Sequence, residues 1–107
     1  MTDLQIRLKS SLDDKLLVFL VIDGESIPIE SDVVRVKLRS DIELFSKVKA
    51  IVLCERFICE YKFEKLVLSD LKIKIWGHCE FPFITINGID PVSSKSSPRE
   101  CNCCVLF

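Results

Sequence analysis

The stretch Phe57-Ile58-Cys59-Glu60-Tyr61-Lys62-Phe63-Glu64 decides the fold class. Phe57, Cys59, Tyr61 and Phe63 fall on one face and Ile58, Glu60, Lys62 and Glu64 on the other. A period of two marks a half-buried strand, because successive strand side chains point to opposite faces. The same period recurs in both directions. Leu4, Ile6 and Leu8 alternate with Gln5, Arg7 and Lys9; Val34, Val36 and Leu38 with Arg35, Lys37 and Arg39; Leu71, Ile73 and Ile75 with Lys72 and Lys74. Residues 16–22 are apolar throughout and stop at Asp23-Gly24, which predicts a central strand covered on both faces and then a turn. Residues 51–54 and the opening stretch flank Glu55-Arg56, a two-residue hairpin turn, and residues 81–86 end at Asn87-Gly88. Seven short strands at spacings of roughly 8 to 12 residues predict a mainly β domain, an antiparallel sandwich or barrel. Residues 40–48 break the pattern. Ser40 is a helix N-cap candidate, Glu43 follows three residues on, and apolar side chains stand at 42, 45 and 48, which predicts one short helix. Phe19, Phe57, Tyr61, Phe63, Trp76 and Phe83 fall at strand periods and are assigned to packing.

With 107 residues, 49 % of them hydrophobic and 29 % charged, the chain has the size and composition of one globular domain. Fifteen basic residues against sixteen acidic ones give a net charge of −1, which argues against a protein that binds nucleic acid by general electrostatics. The longest apolar run is the seven residues 16–22, against the roughly 20 that a membrane-spanning helix needs. Residues 1–10 are polar and alternating, unlike a secretory leader. Composition changes at Pro91. Pro-Val-Ser-Ser-Lys-Ser-Ser-Pro-Arg-Glu offers one apolar side chain to bury, so the reading is a globular domain over 1–90 and a flexible Pro/Ser linker with a Cys-rich tail over 91–107.

Catalysis finds little to stand on. His78 is the only histidine. Its neighbour Cys79 would point to the other face of a strand, leaving Cys54 or Cys59 as the thiols for it to serve. No phosphate-binding glycine loop and no H-E-x-x-H or G-x-S-x-G string occurs. The expectation is therefore a non-enzyme with no cofactor and no small-molecule substrate. Six cysteines (54, 59, 79, 101, 103 and 104) show C-x4-C and C-x-C-C spacing rather than the tight pairs of zinc knuckles. The alternative function is a metal-binding or redox-responsive protein using Cys101, Cys103 and Cys104 with Cys79 or His78. The basic residues form the one candidate surface. Arg35, Lys37 and Arg39 line one side of a strand, Lys72 and Lys74 another, with Arg7 and Lys9 placed similarly on a third. If those strands are neighbours, they make a docking face for an anionic membrane surface or an acidic protein partner. No aromatic residue alternates with these bases, so a stacking platform for nucleic acid is not indicated.

The sequence closes on Cys104-Val105-Leu106-Phe107: cysteine, two aliphatic residues, then Phe. This is the C-a-a-X pattern of prenylation, and a terminal Phe points to geranylgeranyl. Behind its Pro/Ser stretch, Cys101-Asn102-Cys103-Cys104-Val105-Leu106-Phe107 resembles the C-terminal anchors of Ras-like and Rho-like small GTPases and the ends of membrane-anchored ubiquitin-fold proteins. The resemblance implies a prenyl group on Cys104, followed by proteolysis and methylation. It covers the tail only: the body has no phosphate loop, and a ubiquitin-like α+β body is the alternative architecture. One lipid chain anchors weakly, so Cys101 and Cys103 are read as possible palmitoylation sites. The functional expectation is a small adaptor or interaction domain, peripheral on a cytoplasmic membrane face, with a protein partner that the sequence does not identify.

Overall fold

Two glycine-containing dipeptides set the hairpin between the second and third strands and the tight turn that follows the eighth. A computed structural model describes residues 2–12, 16–38, 45–78 and 80–99. In it Asp23 and Gly24 have φ of 51° and 79°, and Asn87 and Gly88 of 55° and 75°. Positive φ at both central residues is what a type I′ turn requires, and Asp-Gly and Asn-Gly meet that need at the least steric expense. The chain forms β1 (Thr2–Ser10), β2 (Leu17–Ile22), β3 (Glu25–Ile29), β4 (Val33–Leu38), β5 (Phe45–Leu53), β6 (Phe57–Val67), β7 (Asp70–His78), β8 (Phe81–Ile86) and β9 (Ser93–Pro98). These make two sheets, ordered β4-β1-β7-β8 and β3-β2-β5-β6-β9.

The strand pattern explains the core. Leu4 and Ile6 of β1, Leu71, Ile73 and Ile75 of β7, and Ile84 and Ile86 of β8 all leave their sheet on one side. From the other sheet come Val18, Leu20 and Ile22 of β2, Val48, Ala50 and Val52 of β5, and Cys59, Tyr61 and Phe63 of β6. All belong to one buried cluster, so the architecture is a mainly β sandwich. Each Leu, Ile, Val or Phe so buried stabilises by about 1.5–3 kcal/mol relative to an exposed position.

Several expectations need correction. The helix over 40–48 fails where it can be compared: Phe45–Leu53 is strand β5, residues 40–44 lie outside the described residues, and no helix occurs among those described. Val48, Ala50 and Val52 are buried at a period of two, and pairing with β2 and β6 overrides the local helical spacing. The ubiquitin-like alternative loses its helix in the same way. Nine strands stand among the described residues where seven were expected, because β3 and β9 were not anticipated. One pair, β1 with β7, is parallel, so the sandwich is not wholly antiparallel. The strand over 16–22 is covered on one face only: Leu17 is 57 % exposed, with Phe19 and Val21 half-buried beside it.

The expected flexible linker is also overturned over 93–98. That segment is β9, registered antiparallel to β6 from Lys62↔Ser93 to Phe57↔Pro98. A serine-rich segment has little to bury, but an edge strand is held by its backbone. Val92 N–H donates to the Lys62 carbonyl (2.8 Å) and Arg99 N–H to the Arg56 carbonyl (2.7 Å). The Arg99 guanidinium donates to the Cys54 carbonyl (3.0 Å). Side chains of β9 add to this, since Ser96 Oγ donates to the Glu80 carbonyl (3.2 Å). The folded domain therefore runs to Arg99.

Candidate anionic-surface interface

The topology answers whether the basic strands are neighbours. β1 lies between β4 and β7. Across β1–β4, Asp3 faces Lys37 and Gln5 faces Arg35; across β1–β7, Arg7 faces Lys72 and Lys9 faces Lys74. Arg35, Lys37, Lys72 and Lys74 are all exposed, as are Arg7 and Lys9. Arg39 lies outside the described residues.

The register divides this face into two zones. Around Arg35 and Lys37, the opposed positions include Asp3 and Gln5, and Asp70 follows across β7. Around Arg7, Lys9, Lys72 and Lys74 every directly opposed charge is positive. Among the described residues, no carboxylate lies within ion-pair distance of these four side chains. Like charges facing each other across strands oppose the pairing that brings them together. The sequence alone gave Arg7 and Lys9 no more weight than their neighbours; only the β1–β7 register makes them the centre of the cationic field.

Aromatic rings extend the same face. The exposed column of β7 continues from Lys72 and Lys74 to Trp76, and β8 sets Phe83 opposite Trp76. The two rings stack with centroids 5.9 Å apart at an interplanar angle of 28°. Trp76 is 41 % exposed and Phe83 58 %, which corrects their assignment to packing. Phe81 is also exposed, while Tyr61 and Phe63 are core residues as expected. Gly77 is the local reason for this stack. It has φ +99°, and a Cβ there would stand 2.7 Å from Phe83 Cδ2, so only glycine lets the ring lie against the strand. The Trp-Gly and Phe-Pro-Phe strings were the available signal, since Gly and Pro inside strand patterns mark departures from ordinary packing.

Two contacts fix this aromatic edge to the second sheet. The buried Tyr61 hydroxyl donates to the Pro82 carbonyl, and the Tyr61 and Phe81 rings lie 6.0 Å apart. Burial, foremost, holds the Tyr61 phenol far above its usual value near 10; the electrostatic influence and hydrogen bond of Cys59, then the electrostatic influence of Cys54, act in the same direction. Cys59 Sγ donates to the Glu80 carbonyl (3.5 Å). Glu80, between β7 and β8, is thus joined to both β6 and β9.

Among the described residues, the thiol and imidazole candidates share no hydrogen bond. Cys54 and Cys59 are buried, whereas His78 is exposed at the end of β7, opposite Phe81. Cys79, Cys101, Cys103 and Cys104 lie outside the described residues. Among those described, no group of three His, Cys, Asp or Glu side chains is placed to hold a metal ion, and no helix is long and apolar enough to cross a membrane.

No family model, curated protein or solved structure matches the chain. Functional inference starts from the face itself.

Proposed function

We propose that this chain is a small non-enzymatic interaction module, tethered to a cytoplasmic membrane face by a prenyl group on Cys104, with Cys101 and Cys103 as palmitoyl acceptors. The surface it presents is the outer face of the four-stranded sheet, and the ligand chemistry it suits is anionic. The observation that carries this reading is the uncompensated block Arg7, Lys9, Lys72 and Lys74. A polybasic surface is the kind of second signal that a singly lipidated protein needs, at about 1 kcal/mol per cation near an anionic leaflet.

Strand β9 tightens the mechanical side of the proposal. A tether starting at Pro91 would let the domain roam. With β9 and its contacts reaching Arg99, four residues separate that position from Cys104, at most about 18 Å of chain over the five steps. A lipid on Cys104 then holds the Arg99 end of the sandwich against the bilayer. The test is intact mass and membrane fractionation of the chain expressed in a eukaryotic host. Removal of Val105-Leu106-Phe107, with prenyl and methyl groups added at Cys104, is the expected result, and Cys104→Ser should release the protein to the soluble fraction. An intact Phe107 carboxylate on membrane-free protein would overturn the tether.

A further inference from the structure

Two large rings left exposed beside an unbalanced cationic block call for a ligand that is apolar and anionic at once. A folded protein gains nothing from solvating Trp76 and Phe83, and Gly77 gives up a side chain and adopts positive φ so that they can stack there. Neither Trp76 nor Phe83 is needed in the core, which closes through Ile75 and Ile84 on the opposite side of the same strands. A lipid headgroup layer supplies both halves of the missing chemistry: phosphate and carboxylate at its surface, and acyl chains just below. Aromatic side chains with an apolar body concentrate at that depth.

We propose that Trp76 and Phe83, together with Arg7, Lys9, Lys72 and Lys74, form one docking surface for an anionic lipid bilayer. The rings enter the headgroup layer and the four cations lie against lipid phosphates and carboxylates. Two observations beyond exposure select this occupant. The charge is complementary, since every directly opposed charge in the block is positive. Arg99, the last described residue, also lies near this end: Glu80, at the turn from the Trp76 strand to the Phe83 strand, is hydrogen-bonded to Ser96, three residues before Arg99. A lipidated tail and the aromatic edge can thus reach one membrane together. The inference rests on the tethering proposal for its cellular setting, but its chemistry operates without the lipid.

The experiment exploits the fact that Trp76 is the only tryptophan. Full-length chain made in bacteria, and therefore unprenylated, is titrated with vesicles of phosphatidylcholine alone or with about a third phosphatidylserine. The expected result is a blue shift of Trp76 emission and quenching by shallow-brominated lipid, seen only with anionic vesicles and weakened by salt. Lys72→Glu with Lys74→Glu should weaken vesicle affinity at least about tenfold. Phe83→Ala, which keeps the reporter, should weaken it severalfold, with circular dichroism showing that both variants fold. Unshifted, unquenched Trp76 on sedimenting vesicles overturns the proposed surface, and binding to acidic peptides or RNA in place of vesicles overturns the proposed occupant. Because the protein is unlipidated, failure here leaves the mass test of Cys104 unaffected, and failure of that test leaves vesicle docking standing.

Discussion

Removing one oxygen atom tests how the two sheets are joined. Tyr61 is the only tyrosine, is 2 % exposed, and donates its hydroxyl to the Pro82 carbonyl across the sandwich. Tyr61→Phe preserves the ring and strands a buried acceptor, at a cost of about 1–2 kcal/mol, within the range for a buried polar group losing its partner. In a domain of this size that lowers the melting temperature by roughly 4–16 °C. Alkaline pH provides an independent arm. The folded state holds the phenol neutral well above its usual value near 10, whereas the unfolded chain ionises there. A raised folded value contributes stability that is complete below about pH 10 and falls above it, by about 1.4 kcal/mol per pH unit. The advantage of the native chain over Tyr61→Phe should therefore be full at pH 7, shrink above pH 10, and vanish near pH 11. Denaturant unfolding at each pH measures the difference, which cancels the lysines common to both proteins. The ultraviolet band of tyrosinate gives a direct check, appearing only as the native chain unfolds. A folded protein whose tyrosinate forms with an ordinary midpoint near 10, or a Tyr61→Phe variant as stable as the parent at neutral pH, would refute the reasoning.

Gly77→Ala should destabilise by about 1–3 kcal/mol, since alanine is strained at φ +99° and its Cβ drives into Phe83; Trp76 emission reports the loss of the stack. Lys74→Glu places a carboxylate opposite Lys9, so it should raise stability by about half a kcal/mol in low salt, with the gain fading as salt is added. Denaturant midpoints at two ionic strengths measure it. Leu20→Ala, at a fully buried position of β2, should cost 2–5 kcal/mol, in the range of core leucine truncations. Ser97→Pro should detach β9 by removing its ladder donor at the hydrogen-bonded pair with Ile58, read as faster amide exchange at Val92 and Arg99.

Legibility followed the physics of each segment. Strands that alternate cleanly, such as 4–8, 34–38 and 71–75, could be read directly, because burial on one face imposes a period of two. Asp23-Gly24 and Asn87-Gly88 were equally legible, since positive φ restricts the residues that fit. β3 was hidden by Pro28, which breaks a central strand but suits an edge, and β9 by its serines, whose strand character lies in main-chain hydrogen bonds that composition does not record. β5 was obscured because apolar side chains at 42, 45 and 48 fit a helix before tertiary pairing is known. Of the candidate face, the cations were legible as strand positions, but not their mutual opposition, which depends on a parallel pairing of β1 with a strand about 65 residues away. Trp76 and Phe83 were misjudged for a related reason: period two places a side chain on a face without saying whether that face meets the core.

The edges of this sandwich narrow how it can meet a partner. An exposed edge strand invites a further strand, and proteins discourage this with proline or charge. Here all four edges carry one or the other: Pro28 in β3, Arg35 and Lys37 in β4, Pro82 in β8 and Pro98 in β9. Pro82 offers no donor, and its carbonyl is occupied by Tyr61. Recognition is thereby left to the faces. On the outer face of the five-stranded sheet, Phe19, Ile51, Leu53 and Ile58 are half-buried and Lys49 is paired with Glu60 at 3.0 Å, so its charge is answered locally. The other outer face is answered at one end only. Asp3 and Asp70 stand among Arg35 and Lys37, yet a single acid at 7, 9, 72 or 74 would relieve the repulsion in the remaining zone and none is present. Since a one-residue slip of β1 would drive these cations into the core, register and surface charge are specified together. The unbalanced cationic block thus lies on a face whose register is fixed by core burial, beside the two rings that the core leaves exposed.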